Sequence, residues 1–274
     1  MIKTAIKLAI IIFLLTAINS CYYEREADQL KVCFIRYNNL WTMNIDGSEQ
    51  KQIIFDGNNN APSRSPDGKN ILFHSDRDGN NEIYVINADG SGLKQLTHTS
   101  LPDTNTIPTW SSDGEEIFFA GKRNVDGFIF IANNDGTILK SFSTGSTSVT
   151  ALSISPDGEY MYYQLSSVIY KMPIKTGIPT SLLLIPNELS VSPDGNSIVH
   201  ANAGSITIYN MVTKSDTTIS ATGKNPCWAP DGETIVFSST VSNDIYKTNI
   251  EVINPKKITT GGGCSAPCVQ GKPR

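Results

Sequence analysis

Three histidines are the residues of this sequence best suited to transition-metal chemistry. They are His74, His98 and His200. Imidazole nitrogen is a common ligand of zinc and related metals, so two or three converging rings would indicate a metal centre. The chain contains no G-x-S-x-G nucleophile motif and no phosphate-binding G-K-[ST] loop. Catalysis would therefore depend on whether the fold brings these histidines together.

A second candidate for ion binding is the loop at 76–82, which carries Asp76, Asp78, Asn80 and Glu82 at alternate positions. Carboxylate and amide oxygens are ligands that Ca²⁺ accepts. The loop is nevertheless too short for an EF-hand and lacks the bidentate Glu at the twelfth place. The same residues also suit a polar turn between two strands. We expect a structural turn and no metal or cofactor, with calcium binding as the alternative.

The N-terminus has the pattern of an export signal. Lys3 and Lys7 precede an apolar run at 8–18, which is too short to span a membrane, and Cys21 follows. The segment at 18–21, Ile-Asn-Ser-Cys, resembles a bacterial lipobox, which implies that 1–20 is a signal peptide and that Cys21 is acylated. Ordinary secretory cleavage nearby is the alternative. Either reading takes the protein out of the cytoplasm. With the lipid as its membrane anchor, we expect it in the bacterial cell envelope, periplasmic or facing the outer membrane.

The composition indicates a globular body of one domain, or two at most. The chain has 274 residues, of which 39% are hydrophobic and 18% are charged. Its formal net charge is −4, and no block of basic residues occurs. Because nucleic acids bind basic surfaces, we expect no nucleic-acid partner.

The stretch at 62–97 is the unit around which the chain is organised. It contains short β-branched and aromatic runs at 71–73 and 83–86, separated by polar turns. In the Ser-Pro-Asp-Gly turn at 65–68, proline presets φ, aspartate bonds its own backbone, and glycine takes the left-handed conformation. This pattern predicts a four-stranded antiparallel sheet.

The same turn recurs at intervals of about 40 residues, the repeat length of propeller blades. Six places after each turn aspartate stands an aromatic residue that we expect to pack between blades, and His200 alone breaks that series. The repeated turn residues, to which we assign a structural role, are Asp67, Gly68, Asp113, Gly114, Asp157, Gly158, Asp194, Gly195, Asp231 and Gly232.

Counting these units predicts an all-β, six-bladed propeller over 30–274, after a lipidated tether at 21–29. Five units are complete and one, at 30–55, lacks its first strand. The tail at 266–269 matches the opening of the last unit at 225–228. We therefore expect the C-terminal strand to complete the first blade, which removes both open sheet edges.

The sequence SPDGKNILFHSDRDGNNEIYVINADGSGLKQLT resembles the WD40-like (PD40) repeat of TolB-type six-bladed propellers. The resemblance covers roughly 30–270 and implies a periplasmic, protein-binding module whose channel mouth receives a segment of another envelope protein. TolB itself carries an α/β domain before its propeller, whereas here only the tether precedes the first strand. We therefore expect a free-standing, lipid-anchored and monomeric propeller.

The first functional hypothesis is a non-enzymatic scaffold that binds a protein or peptide. The alternative is a carbohydrate-binding or lyase-type, glycan-degrading propeller, since some such enzymes hold a metal with histidines near the channel. His74 and His200 fall on opposite faces of blades three apart, so we expect them not to converge. Prolyl oligopeptidase-type enzymes use similar propellers but add a hydrolase domain for which this chain has no room. We expect no enzymatic activity.

Four cysteines beyond Cys21 could pair in an oxidising compartment. If the closing strand lies beside 32–35, Cys33 and Cys268 become cross-strand neighbours. A disulfide between them would close a loop of more than 200 residues, a stabilisation of ~5 kcal/mol in the loop-entropy model. The alternatives are buried thiols or a local pair between Cys264 and Cys268.

A partner surface is predicted on the face that carries the middle turns and the links between blades, because its loops are the longest and most charged. The alternative is that these residues are solvated loop tips. The residues proposed for partner binding are Asp76, Arg77, Asp78, Lys122, Arg123 and Asp126.

Overall fold

The structure is a computed structural model that describes residues 30–101, 103–145, 148–184, 188–220, 222–251 and 253–270. The predicted signal peptide at 1–20, Cys21 and the tether at 21–29 lie outside the described residues. Within the described part, all regular structure is β-strand, arranged as six four-stranded antiparallel sheets. That part contains no helix able to cross a membrane.

The first three blades use eleven consecutive strands and one from the C-terminus. Blade 1 has the order β24-β1-β2-β3, blade 2 runs from β4 to β7, and blade 3 from β8 to β11. Their strands are β1 Lys31–Arg36, β2 Asn39–Asn44, β3 Lys51–Gln52, β4 Asn59–Arg64, β5 Asn70–Ser75, β6 Glu82–Asn87, β7 Lys94–Gln95, β8 Thr104–Trp110, β9 Glu116–Arg123, β10 Asp126–Asn133, β11 Ile138–Gly145 and β24 Cys264–Gln270.

The last three blades are simple up-and-down sheets. Blade 4 runs from β12 to β15, blade 5 from β16 to β19, and blade 6 from β20 to β23. Their strands are β12 Val149–Ile154, β13 Tyr160–Leu165, β14 Val168–Pro173, β15 Thr180–Leu184, β16 Leu189–Val191, β17 Ser197–Asn202, β18 Ser205–Asn210, β19 Ser215–Ser220, β20 Lys224–Trp228, β21 Thr234–Ser238, β22 Ile245–Asn249 and β23 Lys256–Lys257.

The C-terminal strand closes the ring. β24 pairs antiparallel with β1, and the register places Val32 opposite Val269 and Cys33 opposite Cys268. The first strands of the six blades then contact one another in a closed circle around the axis. The prediction of a six-bladed propeller closed by its last strand is confirmed.

The hydrophobic core is divided into six clusters, one at each interface between neighbouring blades. On β1, Val32 and Phe34 pack toward blade 6, whereas Cys33 and Ile35 pack toward blade 2. Because successive side chains of a strand point to opposite faces, each sheet is buried on both sides. This arrangement explains why the second strands are continuous apolar runs.

A stacked aromatic pair joins the second and third strands in five of the six blades. In blade 2 the pair is Phe73 and Tyr84, directly opposite in register with ring centroids 5.7 Å apart. Blade 5 has His200 opposite Thr207 at the same place. The other pairs are Phe34–Trp41, Phe119–Phe130, Tyr163–Tyr170 and Phe237–Tyr246.

The repeated turns link the first and second strands of their blades, and in four of the five the serine hydroxyl donates to the turn aspartate. In blade 2, Gly68 N donates to Ser65 O at 2.8 Å, and Asp67 Oδ1 accepts from Ser65 Oγ at 2.7 Å and from Lys69 N at 3.0 Å. These bonds, led by the one from Ser65, lower the pKa of Asp67 below its ordinary value. Gly68 has φ of +73°, a conformation that favours glycine. The turn therefore fixes where each first strand meets the axis.

Candidate functional site

A cavity of about 920 Å³ lies on the ring axis, enclosed by the first strands of all six blades. Its lining also includes turn residues such as Pro66, Pro156, Pro193 and Pro230, so the cavity reaches the face that carries the repeated turns. Eight of the 14 prolines of the chain line it, together with seven serines. Its volume is in the upper range of small-molecule pockets.

Backbone bulges shape the cavity wall. Ala61, Ile107, Asn225 and Ala266 have φ between +45° and +53°, and each precedes a proline that lines the cavity. Proline has no N–H to offer at the exposed edge of the first strand. The wall therefore presents carbonyl and hydroxyl oxygens. It does not present the regular row of N–H and C=O groups with which another β-strand could pair.

The charges around the cavity are unevenly distributed. Among the lining residues that the structure describes, Arg64 is the one cation, and its guanidinium donates to Gly68 O at 2.9 and 2.7 Å. The lining acids are Asp194, Asp231 and Glu233, from blades 5 and 6. Burial opposes ionisation of Asp194, but hydrogen bonds from Ser192 and Asn196 outweigh it and lower its pKa. This side of the cavity is therefore anionic.

Hydrogen bonds between neighbouring first strands hold the wall in register. Asn225 Nδ2 donates to Glu188 Oε1 at 2.6 Å, and Ala266 N donates to Asn225 Oδ1 at 3.4 Å. These two contacts connect blades 5, 6 and 1 in sequence. Burial raises the pKa of Glu188 above its ordinary value. No sequence pattern predicts these contacts between blades, because they depend on bulges that bring the edges of adjacent first strands together.

The side chain of Arg77 packs against blade 2 instead of extending into solvent. Its side chain is 11% exposed, and its guanidinium carbon lies 5.5 and 5.0 Å from the ring centroids of Phe73 and Tyr84. It also donates to Asn59 Oδ1 at 2.8 Å. Arg77 thus covers the aromatic pair of blade 2.

Arg123 does the same in blade 3. Its guanidinium lies 4.5 Å from the Phe130 ring centroid and donates to Asn105 Oδ1 at 2.9 Å. Its neighbours Lys122 and Asp126 are exposed. None of the six residues predicted for partner binding lines the axial cavity.

The acidic side chains of the 76–82 loop point to different partners. Asp76 accepts from Asn58 Nδ2 at 2.7 Å, and Asp78 accepts from Tyr84 Oη at 2.6 Å. Glu82 is buried and accepts hydrogen bonds from Thr97, Thr99, Asn80 and Asn105. The structure therefore does not bring these groups together. In the described part of the chain, no three His, Cys, Asp or Glu residues are arranged to hold a metal ion.

The histidines are also separate. His74 Nδ1 accepts from Ile107 N at 3.4 Å, at the interface of blades 2 and 3. Burial lowers its pKa to about 4. His200 is buried in blade 5, where desolvation likewise lowers its pKa, and His98 is on an exposed loop. None of the three lines the axial cavity.

Three cysteines meet where the ring closes. Cys33 Sγ lies 3.6 Å from Cys268 O, and the Cys268 thiol is within hydrogen-bonding reach of the thiols of both Cys33 and Cys227. Cys264 is four residues from Cys268 on the same strand. All four are thiols in the structure. The sequence predicted the approach of Cys33 and Cys268 but not the third member, although Cys227 holds the position in blade 6 that Cys268 holds in blade 1.

Comparison with known families gives one match over more than half of the chain. A sequence model described as "TolB beta propeller domain" (PD40) matches residues 27–178. A curated relative, the uncharacterized protein Atu1656 of Agrobacterium fabrum, is 35% identical over 65 residues. That match covers 23% of this chain and 22% of the relative.

Solved structures share the fold at low sequence identity. TolB from Acinetobacter baumannii superposes with a TM-score of 0.75 at 18% identity, covering 89% of this chain and 67% of TolB. A chain of a nidogen/laminin complex superposes with a TM-score of 0.72 at 11% identity, covering 89% of this chain and all of its own. At these identities the likeness concerns the fold.

Proposed function

This chain belongs to the TolB beta-propeller (PD40) family, and we propose that it is a non-enzymatic scaffold that binds a segment of another protein in the axial cavity. Family membership supports a protein-binding scaffold in general. The observation that carries the specific proposal is the cavity itself, which all six blades enclose and which reaches the face of the repeated turns.

The cavity chemistry favours an extended segment with hydrogen-bond donors and positive charge. The wall offers serine hydroxyls and backbone carbonyls, while Asp194, Asp231 and Glu233 make one side anionic. The guanidinium of Arg64, the cation that lines the cavity, already donates hydrogen bonds to Gly68 O. Complementary charge increases the association rate and selects the partner. The prolines oppose binding by strand addition, so side-chain and single backbone contacts would hold the segment.

We further propose that the protein acts in the bacterial envelope as a lipid-anchored monomer, with Cys21 as the acylated residue. The export pattern of 1–21 supports the location, and the family supports the extracytoplasmic setting. The opposite face of the propeller is a second proposed contact surface, on which Lys122 and Asp126 remain exposed.

Site-specific photo-crosslinking in intact envelopes tests the cavity proposal. A photoreactive residue replaces Ser63 in the cavity or, as a control, exposed Leu139 on the outer strand β11. We expect one discrete protein adduct from position 63 only. Adducts of equal yield from both positions, or none from position 63, would contradict the proposal.

A charge reversal with a matched control completes the design. Glu233→Lys alters the cavity, whereas Glu115→Lys alters the equivalent turn position in blade 3, which does not line it. We expect the first variant to reduce the adduct at least about fivefold and the second to leave it unchanged. Binding of glycan fragments in place of protein would favour the carbohydrate alternative.

A further inference from the structure

Three thiols from three strands form one cluster at the seam of the ring. Cys33 lies on β1, Cys268 on the closing strand β24, and Cys227 on β20, the first strand of blade 6. Cys268 is central, because its thiol contacts both of the others. Val269 N also donates to Cys227 Sγ at 3.5 Å, which holds β20 against β24. A bond from Cys268 can therefore form within blade 1 or between blades 6 and 1.

The surroundings of Cys268 favour its thiolate. The thiols of Cys227 and Cys33 and the backbone N–H of Arg64 are close enough to stabilise a negative charge on its sulfur, and the positive charge of Arg64 is nearby. These contacts lower the pKa of Cys268 well below its ordinary value, whereas donation to Cys268 and burial raise the pKa of Cys33 and Cys227. Because the thiolate is the attacking form, Cys268 is the nucleophile of the cluster.

Access to the cluster is from one side. Cys268 and Cys227 line the axial cavity and are partly exposed, while Cys33 is fully buried behind Cys268 in the interface with blade 2. A small disulfide that enters the cavity therefore reaches Cys268 before Cys33. The buried thiol then lies directly across the sheet from the attacked one.

We propose that Cys33, Cys227 and Cys268 form a thiol–disulfide exchange site, at which a low-molecular-weight disulfide converts the ring closure from a hydrogen-bonded seam into a covalent one. The Cys268 thiolate attacks one sulfur of the disulfide RS–SR, forms the mixed disulfide and releases RS⁻. The Cys33 thiol loses its proton and attacks Cys268 Sγ, forming the Cys33–Cys268 bond and releasing the second RS⁻. Two protein thiols are oxidised and one RS–SR is reduced to two thiols.

Cys227 makes the bond exchangeable. Its thiolate attacks Cys268 Sγ, and the Cys33 thiolate leaves, so that the bond moves to Cys227–Cys268 with no net oxidation. The first bond joins β24 to β1, and the second joins β24 to β20 across the blade interface. Either product prevents β24 from leaving the ring.

Mass mapping of disulfides in the folded full chain tests the proposal. The protein is equilibrated with oxidised or reduced glutathione, alkylated and digested without reduction. We expect a Cys33–Cys268 peptide with oxidised glutathione, a Cys227–Cys268 peptide in Cys33→Ser, and the wild-type result in the control Cys264→Ser. Two results would overturn the proposal. One is Cys268 recovered alkylated after oxidation, and the other is a Cys33–Cys227 bond in Cys268→Ser.

A kinetic and a thermal measurement are independent of the mapping. The native chain should form a mixed disulfide with glutathione at pH 6, and Cys268→Ser should lower the initial rate at least about tenfold. Oxidation should raise the melting temperature of the wild type by at least about 5 °C and leave that of Cys268→Ser unchanged. Equal rates in the two proteins, or an equal thermal shift, would contradict the assignment of Cys268.

Discussion

Glu82 on β6 accepts a hydrogen bond of 2.8 Å from Asn105 Nδ2 on β8, and this contact joins blades 2 and 3. The same carboxylate accepts from Thr99 N at 2.6 Å and from the Thr97 hydroxyl, so it organises the link between the two blades. Burial disfavours the carboxylate, but these bonds outweigh it and keep the pKa of Glu82 below its ordinary value.

We predict that Glu82→Gln lowers the free energy of unfolding by about 2–3 kcal/mol. The reason is that the NH₂ group of glutamine cannot accept the hydrogen bonds that the replaced carboxylate oxygen accepts from its N–H and O–H neighbours. Urea denaturation monitored by fluorescence measures the change. Glu115→Gln, on an exposed turn, is the control and should differ from wild type by less than about 0.5 kcal/mol. Equal stabilities of the two variants would show that the link does not depend on the Glu82 charge.

Arg77→Ala should destabilise the protein by about 1–3 kcal/mol, because it removes a cation over two aromatic rings and the hydrogen bond to Asn59. Lys122→Ala, at an exposed position near the corresponding turn of blade 3, should have almost no effect. Thermal melts of both variants give the comparison. An Arg77→Ala protein with wild-type stability and weakened partner capture would instead support a direct binding role.

His74 should make stability depend on pH. Its pKa is about 4 in the folded protein because of burial, against an unfolded value of 6.5. Between these values the unfolded chain binds a proton that the folded protein does not. Stability should therefore be complete above pH 6.5 and fall, by on the order of 3 kcal/mol, as the pH decreases to about 4.

His74→Gln should lose less stability over this range, while His98→Gln, on an exposed loop, should follow the wild type. Urea midpoints at pH 8, 6 and 4.5 give the three curves. Parallel curves for wild type and His74→Gln would contradict the assignment.

His200→Phe should stabilise the protein by about 1 kcal/mol or more. The side chain is 3% exposed, and neither ring nitrogen has a hydrogen-bond partner among the described residues. A buried polar group without a hydrogen-bond partner lowers the stability of the folded protein. Phenylalanine is found at the equivalent position of blade 6, where it is Phe237. A lower melting temperature would show that the site cannot accept the larger ring.

Much of the fold was predictable because its determinants are local. The Ser-Pro-Asp-Gly turn at 65–68 and its repeats specify hairpins directly, and the match between 225–228 and 266–269 identified the closing strand. The partner surface was less predictable. The sequence shows that Arg77 is charged and lies in a loop. It does not show that the side chain packs over the rings of Phe73 and Tyr84. Likewise, the approach of Cys227 to Cys268 depends on the curvature of the whole ring.

Pairing of β24 with β1 has a consequence for biosynthesis. Blade 1 is the first blade begun as the chain emerges from the ribosome, and it is the last one completed. Until residues 264–270 arrive, β1 keeps an unpaired edge and the cluster between blades 1 and 6 lacks Cys264 and Val269. The nascent chain therefore needs protection from aggregation and proteolysis for nearly its whole synthesis. A chain terminated anywhere before Cys264 would lack the strand that closes the ring, and we expect proteases to degrade it.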